Sequence, residues 1–411
     1  MRKVVVTGLG VVSPVGNNAV DFWGSLTAGR CGIGYITRFD TAEYKVKIAA
    51  EVKGFDPSGI MDKAEIRRSD LFVRYAVVAA NEAMRDSGLE EMDKDRLGVY
   101  IGSGIGGIGT LVQESNKLDT QGPRKVSPFL VPMMIANMAA GQVAMRFGAR
   151  GPCLPVVTAC ATSSHAIGEA FRAIAHGYAD AILAGGAEAP LIPLAIAGFT
   201  SSMALSLRND PMDSSIPFDK RRDGFVMGEG AGVLVLEEYE HALARKATIY
   251  AEICGYGNTC DAYHITSPLP DGSSAANAIS GAMREAGLQG SEVLYINAHG
   301  TSTPLNDKTE TLAIRRALGE EAAHRAIISS TKSMTGHMLG AAGAAEAIAC
   351  VMALRDGIAP PTIGYKEPDP ECDLDYIPNQ ARRADLSAAL SISLGFGGHN
   401  ACLAFRRADL A

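Results

Sequence analysis

The chain has 411 residues, 47% hydrophobic and 20% charged, a balance that fits a compact globular protein and excludes a disordered one. Length alone allows one large domain or two ordinary ones. The formal net charge of −7 argues against nucleic acid as the main partner, which would need a broad basic surface.

Lys3–Gly8 (KVVVTG) runs directly into a strand with no apolar leader, which predicts a cytoplasmic protein. Eight cysteines without CxxC spacing then predict free thiols, not disulfides or a zinc site. The 45 glycines cluster in turns, as GLG at 8–10, GSGIGGIG at 102–109 and GFGG at 395–398. Met61–Arg85 predicts a surface helix, charged on one side, with Leu71, Phe72, Tyr75 and Val78 on the other. Phe129–Phe147 and Gly340–Leu354 are the most apolar stretches, but Pro132, Asn137, Gln142 and Glu346 interrupt them, so neither is a membrane span. Gly340–Leu354 is apolar on nearly every face, the pattern of a helix buried in a large core.

Four elements recur in the same order. A strand with Gly-x-Gly occurs at Val4–Gly10 and at Ala251–Gly257. A strand meeting a turn rich in small residues follows, at Gly98–Gly104 and Leu294–Gly300. Next comes a stretch that reads as a buried strand leading to a small-residue helix, first through Val156–Val157 and Cys160 and later through Ile327–Ile328 and Lys332, the helices stopping near Gly177 and Gly357. Last is a Gly-rich turn feeding a hydrophobic strand, from Gly228 and from Gly395. The repetition predicts a duplicated α/β chain, with halves at 1–250 and 251–411 and parallel or mixed sheets covered by helices.

Three segments carry the chemistry: TACATSS with Cys160, NAHGTSTPLND with His299, and SSTKSMTGHMLGAAG with Lys332 and His337. Small neighbours let the backbone turn sharply at Cys160, and Ala161–Ala175 then reads as a helix. A thiol at a helix N-terminus meets the positive end of the dipole, which can lower its pKa from ~8.5 to roughly 3.5–7.5 and leaves N–H groups free for an oxyanion. A buried structural cysteine, a hydrogen-bonding histidine and a surface lysine are the bland readings of these residues taken singly. Together, one thiol and two imidazoles at strand ends point to acyl transfer through a thioester. The second histidine points further, because two neutral donors on one carbonyl stabilise the enolate that decarboxylation of a malonyl group creates. Lys332 reads as a partly buried ammonium supporting that network.

On these motifs the chain resembles the β-ketoacyl-acyl-carrier-protein synthases, the elongating condensing enzymes of type II fatty acid synthesis, and most closely the synthase II kind. The resemblance runs from VVVTGLGVVSPVG to GFGGHNA and includes PFDKRRDGFVMGEGAGVLVLEE at 217–238. It implies a thiolase-like five-layer α-β-α-β-α fold of two duplicated halves, and a homodimer without a cofactor. Cys160 would take the primer acyl chain, His299 and His337 would bind the malonyl thioester carbonyl and promote loss of carbon dioxide, and Lys332 would support His337. Backbone N–H groups of Cys160 and Phe396 would form the oxyanion hole, with Phe396 also acting as a gate. Thr301 and Thr303 would hold the phosphopantetheine arm, Ile105 would guard the acyl pocket and Phe199 would line it. In some relatives a cation sits near the positions of Asn297, Glu346 and an asparagine that is Ile392 here; isoleucine has no side-chain oxygen, so no metal is expected. The partner would be acyl carrier protein, which is acidic, received by a basic patch of Lys63, Arg67, Arg68, Arg124, Lys125 and Arg208.

The rival within the family is the ketosynthase subunit of a type II polyketide system. A thiolase or coenzyme A acyltransferase is disfavoured by the two-histidine pattern, and a non-catalytic partner subunit by the intact Cys160. A dehydrogenase reading of GSGIGGIG lacks the acidic residue that would bind ribose.

Overall fold

Nine strands form one mixed sheet in the computed structural model, which describes residues 1–89, 91–290 and 292–410. They are β1 (Val4–Val12), β2 (Leu97–Gly102), β3 (Ala181–Glu188), β4 (Gly230–Glu238), β5 (Ala251–Cys260), β6 (Leu294–Asn297), β7 (Ile327–Ser329), β8 (Ala388–Gly395) and β9 (His399–Arg407). Their order across the sheet is β2-β3-β4-β1-β5-β9-β8-β6-β7.

Read outward from the β1–β5 junction, the two sides repeat. β1 pairs antiparallel with β4, β4 antiparallel with β3, and β3 parallel with β2. On the other side β5 pairs antiparallel with β9, β9 antiparallel with β8, and β8 parallel with β6. The junction is short: Val4, Val5 and Val6 face Ile253, Glu252 and Ala251.

The principal helices are α1 (Lys63–Arg67), α2 (Leu71–Ser87), α3 (Thr162–Ala175), α4 (Ser273–Ala286), α5 (Pro304–Leu318) and α6 (Ala342–Asp356). Successive strand residues serve opposite faces. Leu234 and Leu236 of β4 pack in the central cluster with α3 and α6, whereas Val233 and Val235 pack with α2. In β9, Leu403 and Phe405 face that same central cluster, and Cys402 and Ala404 face α4. Helices α3 and α6 therefore lie between two halves of the sheet, with α2 and α4 outside, which gives the five expected layers. Strands covered on both faces must be apolar throughout, which explains the unbroken runs in the sequence.

Every residue of α6 from Ala342 to Leu354 is buried. Its small side chains permit a close crossing: a Cβ on Gly343 would lie 2.1 Å from Ser164 Oγ of α3. Each helix is entered through a 3₁₀ turn, Ala159–Ala161 before α3 and Leu339–Ala341 before α6.

Two expectations need correction. Met61–Arg85 is two helices, because Asp62 caps α1 in a capping box with Glu65 and Asp70 starts α2 afresh. Helix α2 is also no simple surface helix. Phe72, Tyr75, Ala76, Ala79 and Ala83 are fully buried against the sheet, and a Cβ on Gly10 would meet Ala79 O at 1.9 Å, while Leu71 and Val78 are only half-buried. Val156–Val157, read as a buried strand, is an extended edge instead. Cys153 makes a single parallel bridge to Val99, and Val157 is 55% exposed.

The crossing yields a test. Gly343→Val should lower unfolding free energy by about 1–3 kcal/mol, the usual cost of overpacking, seen as a reduced denaturant midpoint.

Candidate active site

The backbone at Ala159 takes a left-handed φ of 50°, unusual for a residue with a side chain, and this sharp turn sets Cys160 ahead of α3. Cys160 is 8% exposed. The loop after β8 lies against it so closely that a Cβ on Gly395 would sit 2.7 Å from Thr158 O and 3.4 Å from Cys160 N. Phe396 stands next on that loop, and its backbone N–H favours the ionised form of the Cys160 sulfur. Burial pushes the thiol up to about 12, outweighing the nearby Lys332 and the Phe396 N–H. The expected depression by the helix terminus is therefore not found, because desolvation is the larger effect.

His299 follows β6 by two residues. Its N–H and that of Gly300 donate to the two carboxylate oxygens of Glu310 on α5, at 2.6 and 2.7 Å. Ser330, just past β7, donates to Gly300 O at 2.7 Å. The site is thus tied to β6, β7 and α5 at once. Burial raises the Glu310 carboxyl to about 7, against the pull of the Gly300 N–H.

His337 is anchored by a short backbone ladder: its N–H donates to Val226 O at 2.7 Å, and Gly228 N–H donates to His337 O at 2.8 Å. Its ring stands edge-on to Phe225 at 5.1 Å and to His299 at 5.3 Å between centroids. Burial first, and Lys332 second, hold both imidazoles well below the usual range, so both are neutral near pH 7. Lys332 opens the helical turn Lys332–Thr335 after β7 and is 1% exposed, its ammonium paired with Glu346 of α6.

Cys160, His299, His337, Phe396, Phe199, Thr301 and Thr303 line one cavity. Thr301 and Thr303 share a hydroxyl contact of 2.9 Å, and Phe199 stands edge-on to Phe225 at 5.6 Å. Lys332 lies outside the lining. So does Ile105, 38% exposed on the loop after β2, which nonetheless runs beside the nucleophile turn: a Cβ on Gly104 would lie 3.3 Å from Ala159 O. At the position where some relatives hold a cation, Asn297 Oδ1 and Glu346 Oε2 are buried without partners. Glu346 is already engaged by Lys332, and Ile392 packs in the α4-side cluster, so these residues do not fit the cation site of the relatives.

Of the basic residues, Lys63, Arg67, Arg68, Arg124 and Lys125 are exposed. Arg68 lies 4.9 Å over the Phe129 ring, which joins the end of α1 to the 123–129 segment. Arg208 is committed to Asp213 and to the Arg221 carbonyl. Glu310, which binds the His299 and Gly300 N–H groups, was not foreseen, nor were Phe225 and the Thr266–Leu269 segment of the cavity wall. Only Glu310 left a trace in the sequence, as an acid three residues after Asp307 on one helix face.

Residues 1–242 match the family profile described as "Beta-ketoacyl synthase, N-terminal domain", and residues 250–366 match "Beta-ketoacyl synthase, C-terminal domain". The chain belongs to the β-ketoacyl synthase family. Among family members it is similar to the "3-oxoacyl-[acyl-carrier-protein] synthase 2" of a Synechocystis strain, 54% identical over 99% of this chain and 98% of that protein. The Staphylococcus aureus protein of the same name is 52% identical over 99% of this chain and 98% of its own. A solved type II polyketide ketosynthase, in complex with its acyl-carrier protein and bound to a hexaketide, superposes with a TM-score of 0.92 at 37% identity, covering 99% of this chain and 100% of that one. A β-ketoacyl synthase from Burkholderia phymatum gives 0.92 at 38%, with the same coverage. Among the described residues no helix is long and apolar enough to cross a membrane.

The neutral state of the paired imidazoles can be tested directly. In an NMR titration of histidine-labelled protein, His299 and His337 should keep neutral shifts as pH falls through ~6.5, the ordinary imidazole value. A normal midpoint for either cavity histidine would refute its desolvation.

Proposed function

We propose that the chain elongates fatty acyl chains by decarboxylative condensation on acyl carrier protein, acting in the cytoplasm as a homodimer. The observation that carries this reading is a thiol sharing one cavity with Phe396 and two neutral imidazoles.

In the first half-reaction the Cys160 sulfur attacks the primer thioester. The N–H groups of Cys160 and Phe396 hold the developing oxyanion. As the carbon–sulfur bond to the carrier breaks, the thiol proton leaves with the departing carrier sulfur. A thiol raised to about 12 fits this order, since the proton is surrendered during transfer and not stored as a free thiolate. In the second half-reaction His299 and His337 donate to the malonyl thioester oxygen. Both rings bury Nδ1 without a partner, so the donating proton is assigned to Nε2. Carbon dioxide departs, its bonding pair forms the enolate, and the enolate carbon attacks the acyl carbonyl on Cys160. The carbon–sulfur bond breaks and the cysteine sulfur recovers a proton from solvent. Lys332, held by Glu346, supplies positive charge behind the cavity. Thr301 and Thr303 line the path for the phosphopantetheine arm, and Ile105 and Phe199 limit the acyl chain.

The halves of this reading divide at 250/251: the first carries the nucleophile, the second the histidines and lysine. The uncovered edge at 152–157, with Leu154 45% and Val157 55% exposed, suits a second copy of the chain. Lys63, Arg67, Arg68, Arg124 and Lys125, with Arg208 more constrained, would receive the acidic carrier. The second reading, a polyketide ketosynthase subunit, is favoured by the solved neighbours at 37% identity, but the relatives at 52–54% favour fatty acid elongation.

Intact-protein mass spectrometry tests the cycle: medium-chain acyl-carrier protein should add its acyl mass to Cys160, and malonyl-carrier protein should then remove it as 3-oxoacyl product. An adduct formed only from acyl-coenzyme A would sink the reading. Cys160→Ala should abolish condensation while sparing malonyl decarboxylation. His299→Ala and His337→Ala should each lower decarboxylation by roughly 10²–10³, the effect of losing one such donor, and still accept acyl groups. Lys63→Glu with Arg67→Glu should raise KM for carrier-bound substrate and flatten its dependence on salt, measured against acyl-pantetheine as control.

A further inference from the structure

Glu188, the last residue of β3, is completely buried and takes no part in the chemistry above. Its carboxylate collects four donors. Oε1 accepts from Ser103 Oγ at 2.6 Å and from the Ile105 N–H at 3.1 Å; Oε2 accepts from the Gly104 N–H at 2.8 Å and from the Gly340 N–H at 3.0 Å. Ser103 Oγ in turn accepts the Gly106 N–H at 2.9 Å. Three of these donors sit on the loop that carries Ile105. The fourth comes from the 3₁₀ turn that follows His337. No side chain could replace the glycines at this meeting: a Cβ on Gly340 would lie 2.5 Å from Glu188 Oε2 and 2.5 Å from Gly104 N, and one on Gly186 would lie 2.6 Å from Gly340 O.

A buried anion with four converging donors is a demanding arrangement, since removing the charge leaves backbone N–H groups unpaired in a dry interior. We propose that Glu188 is a positioning residue for chain-length selection: it pins the backbone of the 103–106 loop to the Leu339–Ala341 turn, so that only the Ile105 side chain yields to an incoming acyl chain. The Ile105 side chain is 38% exposed, whereas its own N–H is held. A primer is therefore admitted by a side-chain rotation of defined cost and not by drift of the whole loop. This rests on the reading of Ile105 as the guard of the acyl pocket.

The experiment is a double-mutant cycle on the full-length enzyme, reading kcat/KM for Cys160 acylation by a short and a long acyl-carrier protein. Glu188→Gln puts an amide N–H where one carboxylate oxygen receives two donors, so the loop should loosen. The long-to-short preference is expected to change at least fivefold, while malonyl decarboxylation stays within twofold. Ser103→Ala, a milder loss on the loop side alone, should move the preference in the same direction and covers the case in which Glu188→Gln does not fold. Ile105→Gly alone should change the preference; if it does not, the guard reading itself fails. If Ile105→Gly acts, Glu188→Gln added to it should bring no further change in preference, because no guarding side chain is left to position. Additive effects, or an equal loss for both primers and for decarboxylation, would show a general structural role and overturn the proposal.

Discussion

The crossing of α3 and α6 is the constraint on which the rest of the molecule depends. Ser164 and Gly343 meet where no Cβ fits, Ser163 Oγ accepts the Ala344 N–H at 2.9 Å, and Ser164 reaches Ser393 of β8 at 2.8 Å. Helices packed this closely bring their opening turns side by side. Cys160 stands before one helix and His337 before the other, so residues 177 positions apart in the chain share one cavity. The run of alanines and glycines in α6 is therefore a condition of catalysis as well as of packing.

That density has an electrostatic consequence. Lys332, Glu346, Glu310 and Glu188 are all buried, and a buried charge is tolerated only where partners and hydrogen bonds offset lost hydration. Each has such partners: Lys332 and Glu346 hold each other, Glu310 holds two N–H groups, and Glu188 holds four donors. The charge on Lys332 disfavours protonation of both histidines and favours ionisation of the thiol. Desolvation reinforces the first effect and overrides the second. The cavity consequently presents neutral imidazole donors and a protonated nucleophile, the pair of states the proposed condensation starts from.

Much of this was legible from local pattern. The strand ends before His299 and Lys332, the helices after Cys160 and Gly340, and the repeated order of elements all appear in the structure, because apolar runs and glycine punctuation report local geometry. What failed depended on surroundings. Met61–Arg85 read as one helix because its periodicity continues across Asp70, whereas the side chain of Asp70 caps a new start. Val156–Val157 read as buried because valines in sequence do not reveal that they lie on an uncovered edge. The dipole argument for Cys160 considered one helix and omitted the walls closing around the sulfur. Glu188 and Glu310 were passed over for a similar reason, since an acidic residue gives no local sign that it will be buried.

The two opening turns are copies with different contents. Ala159–Cys160–Ala161 and Leu339–Gly340–Ala341 each begin with a side-chain-bearing residue in the left-handed region, at φ 50° and 47°, and each leads into a central helix. In the first, the middle position carries the nucleophile. In the second it is glycine, and its amide is occupied by the protein's own carboxylate, Glu188. The same backbone device thus presents a sulfur in one half and ties down a loop in the other.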